Sequence, residues 1–299
     1  MVDRLPATAR AGALSAYDNH PSLWAGRMPR PGWDTHKHAR GHLMCVSGGL
    51  AQTGAARLAA RAGLRIGAGL VSLLSPPDAL SVNAAHLTAI MLRRFDDTDG
   101  LLDVTGPASA LVIGPAAGVS EETRANVLAL LRVGKRLVLD ADALTVFEGN
   151  PKSLLRDLTP HCVLTPHAGE FERLFPGLAE RYADRRDAAR AAAEAAGCTV
   201  LLKGAETIIG HPGEVPVVNR HASPYLATAG SGDVLAGFIG GLIAQGMAGL
   251  LAAQAAAWLH GEAGRRLGPG LIAEDLPEAL PGILADLFDS DLASPPNDD

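Results

Sequence analysis

The run Thr228-Ala229-Gly230-Ser231-Gly232-Asp233 places small residues and a carboxylate where a phosphoryl group could be moved. Gly230 and Gly232 flank Ser231 directly before an apolar stretch, so the unbonded N–H groups of an opening helix can point at an anion. Gly230, Ser231 and Gly232 are therefore a candidate anion hole, and Asp233 follows at once. An aspartate in a first helical turn has an ordinary role, stabilising the helix by roughly 0.3–1 kcal/mol. Beside a phosphate-holding loop, however, a carboxylate repels the neighbouring ligand. It makes sense there as a base that takes a proton from an attacking hydroxyl.

Four further clusters of small or polar residues each follow an apolar run: Ser47-Gly48-Gly49, Gly114-Pro115-Ala116-Ala117-Gly118, Thr165-Pro166-His167-Ala168-Gly169-Glu170 and Lys203-Gly204-Ala205-Glu206-Thr207. Taken singly, each could be an ordinary turn. His167 reads as a capping residue or a substrate contact, and Asp140 and Asp142 as N-caps or as metal or substrate groups. His260 reads as a core or interhelix histidine. Competing nucleotide motifs are missing. The pair Gly134-Lys135 has Ala129 where a P-loop needs glycine, and Ser47-Gly48-Gly49 is not the dinucleotide-binding GxGxxG pattern. No metal-ligand spacing appears, so metal ligands stay unknown at this level.

These clusters must be positioned by the elements between them. Strands are expected at His42–Val46, Leu70–Leu74, Ala110–Ile113, Leu137–Leu139, Cys162–Leu164 and Val200–Leu202. Helices are expected at Thr53–Ile66, Ser120–Leu131, Arg185–Ala196, Gly232–Gln245 and Leu250–Leu267. This alternation predicts an α/β fold with a mostly parallel central sheet and helices on both faces. Residues Thr207–Ile209 and Val215–Val218, around His211-Pro212-Gly213, read as a hairpin at the sheet edge. In such sheets ligands bind beyond the carboxyl ends of the strands, where all five clusters fall.

The 299 residues are 47% apolar, 19% charged and 4% aromatic, enough for a large core of closely packed helix and sheet. A single domain at 36–288 is expected, with an irregular N-terminal arm at 1–35 and a disordered acidic tail at 289–299. The net charge of −6 and the lack of a Lys/Arg run argue against a nucleic-acid partner. No apolar stretch is long enough for a membrane span, and no secretory leader is visible, so a cytoplasmic protein is expected. Cys45, Cys162 and Cys198 read as buried, reduced thiols.

The ordered set of motifs resembles one family. His36-Lys37-His38-Ala39-Arg40-Gly41-His42, Thr53-Gly54-Ala55-Ala56, Leu139-Asp140-Ala141-Asp142-Ala143-Leu144 and the five clusters above look like the ADP/ATP-dependent NAD(P)H-hydrate dehydratases, from about His36 to Leu284. The resemblance implies a ribokinase-like fold and a lyase that repairs hydrated NADH or NADPH at the expense of ADP (or ATP), with Mg²⁺. By the same resemblance, Asp233 is the catalytic base and Gly232 contacts the nucleotide phosphate. Lys203, Gly204, Ala205, Glu206 and Thr207 surround the adenine nucleotide, and Ala55, Gly118, His167 and Asp233 contact the hydrated dinucleotide. It also implies a homo-oligomer, with a tetramer as one form, and a separate epimerase as working partner. One departure stands out: Gly114-Pro115-Ala116-Ala117-Gly118 carries Ala116 where the family usually has glycine, and an alanine disfavours positive φ. A small-alcohol kinase of the same class, of the hydroxymethylpyrimidine or hydroxyethylthiazole type, is the alternative, and a non-catalytic nucleotide sensor a more distant one.

Overall fold

A computed structural model describes residues 17–289. Ten strands form one sheet: β1 (Tyr17–Asp18), β2 (His42–Val46), β3 (Leu70–Ser75), β4 (Met91–Arg94), β5 (Ala110–Ile113), β6 (Leu137–Leu139), β7 (Val163–Leu164), β8 (Thr199–Leu202), β9 (Thr207–Gly210) and β10 (Val217–Asn219). Their order is β1-β10-β9-β8-β7-β6-β5-β2-β3-β4, and only β9 runs antiparallel to its neighbours. The chain steps outward from β2 to β3 and β4, then returns to lay β5 on the other side of β2. The order reverses at that point, leaving a crevice beyond the carboxyl ends of β2 and β5.

Side chains alternate across the strands and feed two cores. Leu43, Cys45, Val112, Val138 and Leu201 pack under the helices Gly54–Arg65, Ser231–Ala244 and Gly249–Leu267. Met44, Val46, Leu111, Ile113 and Leu139 face the helices Glu121–Arg132 and Arg185–Ala196. Ser120 caps the helix Glu121–Arg132 by accepting from the Thr123 N–H at 3.1 Å. All three cysteines are free and buried.

Several elements differ from the sequence expectation. The hairpin β9–β10 is present but is not the sheet edge, because Tyr17–Asp18 of the arm pairs in parallel with β10. Two residues are too short to show a strand period. The arm is also anchored further on, since Trp24 is 1% exposed and lies 5.8 Å from the Trp258 ring. Trp24 Nε1 donates to Asn19 Oδ1, and Asn19 Nδ2 donates in turn to Asn219 Oδ1. Strand β4 carries Arg93 and Arg94 on a half-exposed outer strand, which hid it. The helix Asp275–Asp289 runs through Pro281, and Asp289, assigned to the tail by sequence, is its last residue. Residues 290–299 lie outside the described part.

Trp24→Ala should lower stability by about 3–5 kcal/mol, the usual cost of emptying a buried aromatic site. Chemical denaturation checks this, and a loss below about 1 kcal/mol would mean that the arm does not dock as described.

Candidate active site

The parallel strands β2, β5, β6, β7 and β8 deliver their following loops to one edge of the sheet. The helix Ser231–Ala244 brings its N-terminus to the same edge by packing on the helix Gly54–Arg65 at very short range. A methyl group on Gly237 would sit 2.2 Å from the Ala59 carbonyl oxygen, so only glycine allows this approach. Gly230, at φ +85, turns the chain into the helix, and no side chain caps it. The first N–H groups there are left for a ligand.

Charges converge around this helix start. Lys203 Nζ donates to Asp140 Oδ1 at 2.7 Å and lies 4.0 Å from Glu170 Oε2. Asp142 Oδ2 accepts from the Gly118 N–H at 2.8 Å. Asp140 and Asp142, separated by one residue, thus pin two different loops. Ala141 between them adopts φ +48, ψ −116, and Ala116 adopts φ +51. The site holds both alanines in the left-handed half of backbone space, at a cost of roughly 1–3 kcal/mol each. Ala116 therefore takes the positive φ that the usual glycine would supply. Its carbonyl fits against Gly48, where a methyl group would approach it to 1.9 Å.

Burial pushes the Asp233 carboxyl up to about 6, the nearby Asp140 charge adds to the rise, Lys203 opposes it and Asp142 reinforces it. Burial alone would lower the Lys203 pKa, but the charge and hydrogen bond of Asp140, followed by the charges of Glu170 and Asp233, hold it above its ordinary value. Asp233 therefore titrates close to neutrality, where a base is ionised yet still basic. His260 Nε2 lies 3.0 Å from both the hydroxyl and the carbonyl oxygen of Ser231. A carbonyl only accepts, so Nε2 carries the proton. Burial lowers the His260 pKa to about 4, keeping the ring neutral. It is an interhelix histidine that fixes the first residue of the helix.

A cavity of about 810 Å³ opens beside this helix start, lined by Lys203, Gly204, Ala205, Thr207, Ser231 and Gly232 among others. Of the nucleotide segment picked out in the sequence, only Glu206 turns away, accepting from Arg220 Nε at 2.7 Å. Gly232 does not need positive φ, which falls on Gly230 instead. A methyl group on Gly232 would point to within 3.6 Å of Lys203 Nζ, into the space an anion would occupy. His167 also lines the cavity, and its Nδ1 caps the helix Ala168–Leu174 by accepting from the N–H groups of Gly169 and Glu170. Ala55 is half-buried at the start of the helix Gly54–Arg65. Sequence reasoning missed Arg185, whose guanidinium donates to the carbonyls of Lys203 and Glu206 and braces that loop. Nothing in its helical neighbourhood signals this, because its partners are backbone atoms.

The parallel sheet, the glycine-led helix start and the aspartate at its edge define a ribokinase-like protein. Within that class the chain belongs to the NAD(P)H-hydrate dehydratase family, whose profile matches residues 43–281. It is 37% identical over 278 residues to the bifunctional NAD(P)H-hydrate repair enzyme of Moorella thermoacetica, covering 87% of this chain and 52% of that protein. It is 38% identical over 237 residues to the ADP-dependent (S)-NAD(P)H-hydrate dehydratase of Neisseria meningitidis, covering 77% of this chain and 78% of that one. The chain thus spans about half the length of the bifunctional relatives it matches. The ADP/ATP-dependent NAD(P)H-hydrate dehydratase of Bacillus subtilis shares the fold with a TM-score of 0.76 at 24% identity, over 93% of this chain and all (100%) of that one. A hydroxyethylthiazole kinase from Pyrococcus horikoshii shares it less closely, with a TM-score of 0.58 at 15% identity over 85% of this chain and 92% of that one.

The raised Asp233 pKa has a consequence for stability. Between pH 3.8 and about 6 the folded state holds a proton that the unfolded chain releases, so ionising Asp233 costs stability as pH rises through that window. Asp233→Asn removes this cost. The variant should melt above the wild type at pH 8, with the gap closing below about pH 4. Thermal scans at both pH values check this, and an equal gap at both would contradict it.

Proposed function

We propose that this chain is an ADP-dependent (6S)-NAD(P)H-hydrate dehydratase, a lyase that restores hydrated NADH or NADPH. The observation that carries the reading is Asp233, its pKa raised to about 6, set as the third residue of the uncapped helix and beside the nucleotide-sized cavity. Family membership and the Neisseria meningitidis relative supply the substrate class.

In this reading ADP lies in the 810 Å³ cavity, along Lys203–Thr207, with its terminal phosphate against the N–H groups of Gly230, Ser231 and Gly232. The hydrated ring meets Asp233 from the side of Ala55, Gly118 and His167. Asp233 accepts the proton of the C6 hydroxyl, and that oxygen attacks the terminal phosphorus as the bond to AMP breaks. The helix-start amides hold the developing charge; losing one such donor typically costs about 10²–10³ in rate. The ring nitrogen's lone pair then expels phosphate from C6, and loss of a C5 proton restores the double bond. Phosphorylation turns hydroxide, a poor leaving group, into a good one. Lys203 is spoken for by Asp140, so it acts by holding the loops together and tempering the charge beside Asp233.

Mg²⁺ usually binds through one or two carboxylates, water and substrate phosphates. Among the described residues no cluster of three or more His, Cys, Asp or Glu side chains could cage a metal, while Asp140 and Asp233 flank the anion site, a donor set that fits an ion brought in on the nucleotide. There Asp140 would hold it from the protein side, and it would neutralise charge on the transferring group. The reading extends to a cytoplasmic homo-oligomer that works with an epimerase activity; the bifunctional relatives, of which the chain covers about half, support the epimerase part alone.

The test is a time course of AMP, phosphate and dihydronicotinamide with hydrated NADH and ADP. The expected ratio is 1:1:1, with Asp233→Asn reduced roughly 10²–10⁴-fold, as for other general bases. Accumulation of a stable phosphorylated product would favour a small-alcohol kinase, and nucleotide binding without turnover a sensor. Turnover with ATP alone would change only the donor.

A further inference from the structure

Two more cavities open on the described surface, and they differ sharply in charge. One, of about 410 Å³, is lined by Asp78, Asp96 and Glu122 and by no lysine or arginine. The other, of about 650 Å³, is walled by Arg57, Arg61 and Arg65, which are spaced four residues apart and so share one face of the helix Gly54–Arg65, against a single carboxylate, Glu274. Leu58 joins this second cavity to the reactive loop. It lines the cavity, and a methyl group on Gly230 would lie 2.6 Å from Leu58 Cδ1 and 4.0 Å from Asp233 Oδ2. The nucleotide cavity and the arginine cavity therefore flank the segment Gly230–Asp233.

The three arginines are not equivalent. Arg61 and Arg65 both donate to Glu278 on the helix Asp275–Asp289, which ties the two helices together. Arg57 has no carboxylate partner among the described residues, and its one bond runs from Nε to the Thr53 carbonyl at 3.3 Å. The terminal nitrogens of its guanidinium are left to a ligand.

We propose that Arg57 binds a phosphate group of the hydrated dinucleotide, seated in the arginine cavity while the nicotinamide end reaches Asp233. This rests on the dehydratase reading and locates its second ligand. The reaction must hold two polyanions at once in a chain of net charge −6. The nucleotide fills one cavity. At the reacting centre Asp140, Asp142, Glu170 and Asp233 already surround the nucleotide's terminal phosphate and disfavour a second phosphate beside it, and the 410 Å³ cavity repels phosphate by its own carboxylates. The cavity walled by Arg57, Arg61 and Arg65, with Glu274 the one carboxylate in its lining, lies next to the reactive loop, and the guanidinium of Arg57, with no carboxylate partner, offers the forked donor set that phosphate oxygens accept. The phosphate is either the pyrophosphate common to both dinucleotides or the 2′-phosphate of hydrated NADPH.

The experiment compares wild type, Arg57→Ala and Arg57→Lys with hydrated NADH and hydrated NADPH, alongside calorimetric binding of NAD⁺ and NADP⁺. Arg57→Ala should raise KM for the dinucleotide roughly 10–100-fold, the loss expected for a charged hydrogen bond, with the loss falling on KM rather than kcat and with KM for ADP unchanged. Arg57→Lys should recover part of it. Equal effects on both dinucleotides assign the pyrophosphate, and an effect on the NADPH form alone assigns the 2′-phosphate. Unchanged KM and unchanged NAD⁺ and NADP⁺ affinity, in a variant that melts like the wild type, would overturn the proposal. Wild-type protein that turns over neither hydrate would overturn the dehydratase reading instead, and the calorimetric arm would still decide Arg57. Should Arg57→Ala fail to fold, Arg57→Gln keeps most of the stem packing.

Discussion

The ion pair between Lys203 and Asp140 is the constraint on which the site depends. Asp140 is 2% exposed and Lys203 22%, so neither charge could sit there alone; removing one partner of such a buried pair typically costs about 3–5 kcal/mol. The pair fastens the loop after β6 to the loop after β8. It also leaves the negative charge of Glu170, Asp142 and Asp233 in excess around one ammonium. Burial above all moves Asp233 toward neutrality, the Asp140 charge adds to the rise, and Asp142 reinforces it against Lys203. The same cluster that holds the loops in place therefore sets the basicity of the group between them.

Close packing makes the cluster possible. Gly237 and Gly63 let the helices Ser231–Ala244 and Gly54–Arg65 meet at backbone distance, and this presses the helix start onto the strand ends. Ala116 and Ala141 are held at positive φ by their neighbours: the Ala116 carbonyl is lodged against Gly48, and Ala141 lies between the two aspartates that anchor Lys203 and Gly118. Strain of this kind persists where the surroundings over-determine it, and here the surroundings are the loops that form the site.

Much of this was legible in the sequence because it is local. Apolar runs closed by small, polar or proline residues marked the strands β2, β3 and β5 to β8, and the hairpin β9–β10, with β7 and β10 expected to start one and two residues early, and the anion-binding helix start was visible in Gly230–Asp233. The pairing of Lys203 with Asp140 was not, since the partners are 63 residues apart and meet only because β6 and β8 end at the same edge. The docking of the arm was hidden for the same reason: Trp24 and Asn19 find Trp258 and Asn219 across the fold. The arginine stripe on Gly54–Arg65 looks like a solvated helix face until the helix Asp275–Asp289 covers part of it and leaves Arg57 over a cavity. Which of the two glycines makes the positive-φ turn was not legible either; it is Gly230, at φ +85, and not Gly232.

The central claim is that Asp233, tuned by this cluster, is the base. The pH dependence of kcat/KM for hydrated NADH at saturating ADP tests it most directly, because that ratio reports the essential base before the dinucleotide binds. The account predicts a rate that climbs about tenfold per pH unit on the acid side and levels off above about pH 6, where Asp233 is ionised. A profile that is flat from pH 5 to 8, or one that falls across that range, would contradict it.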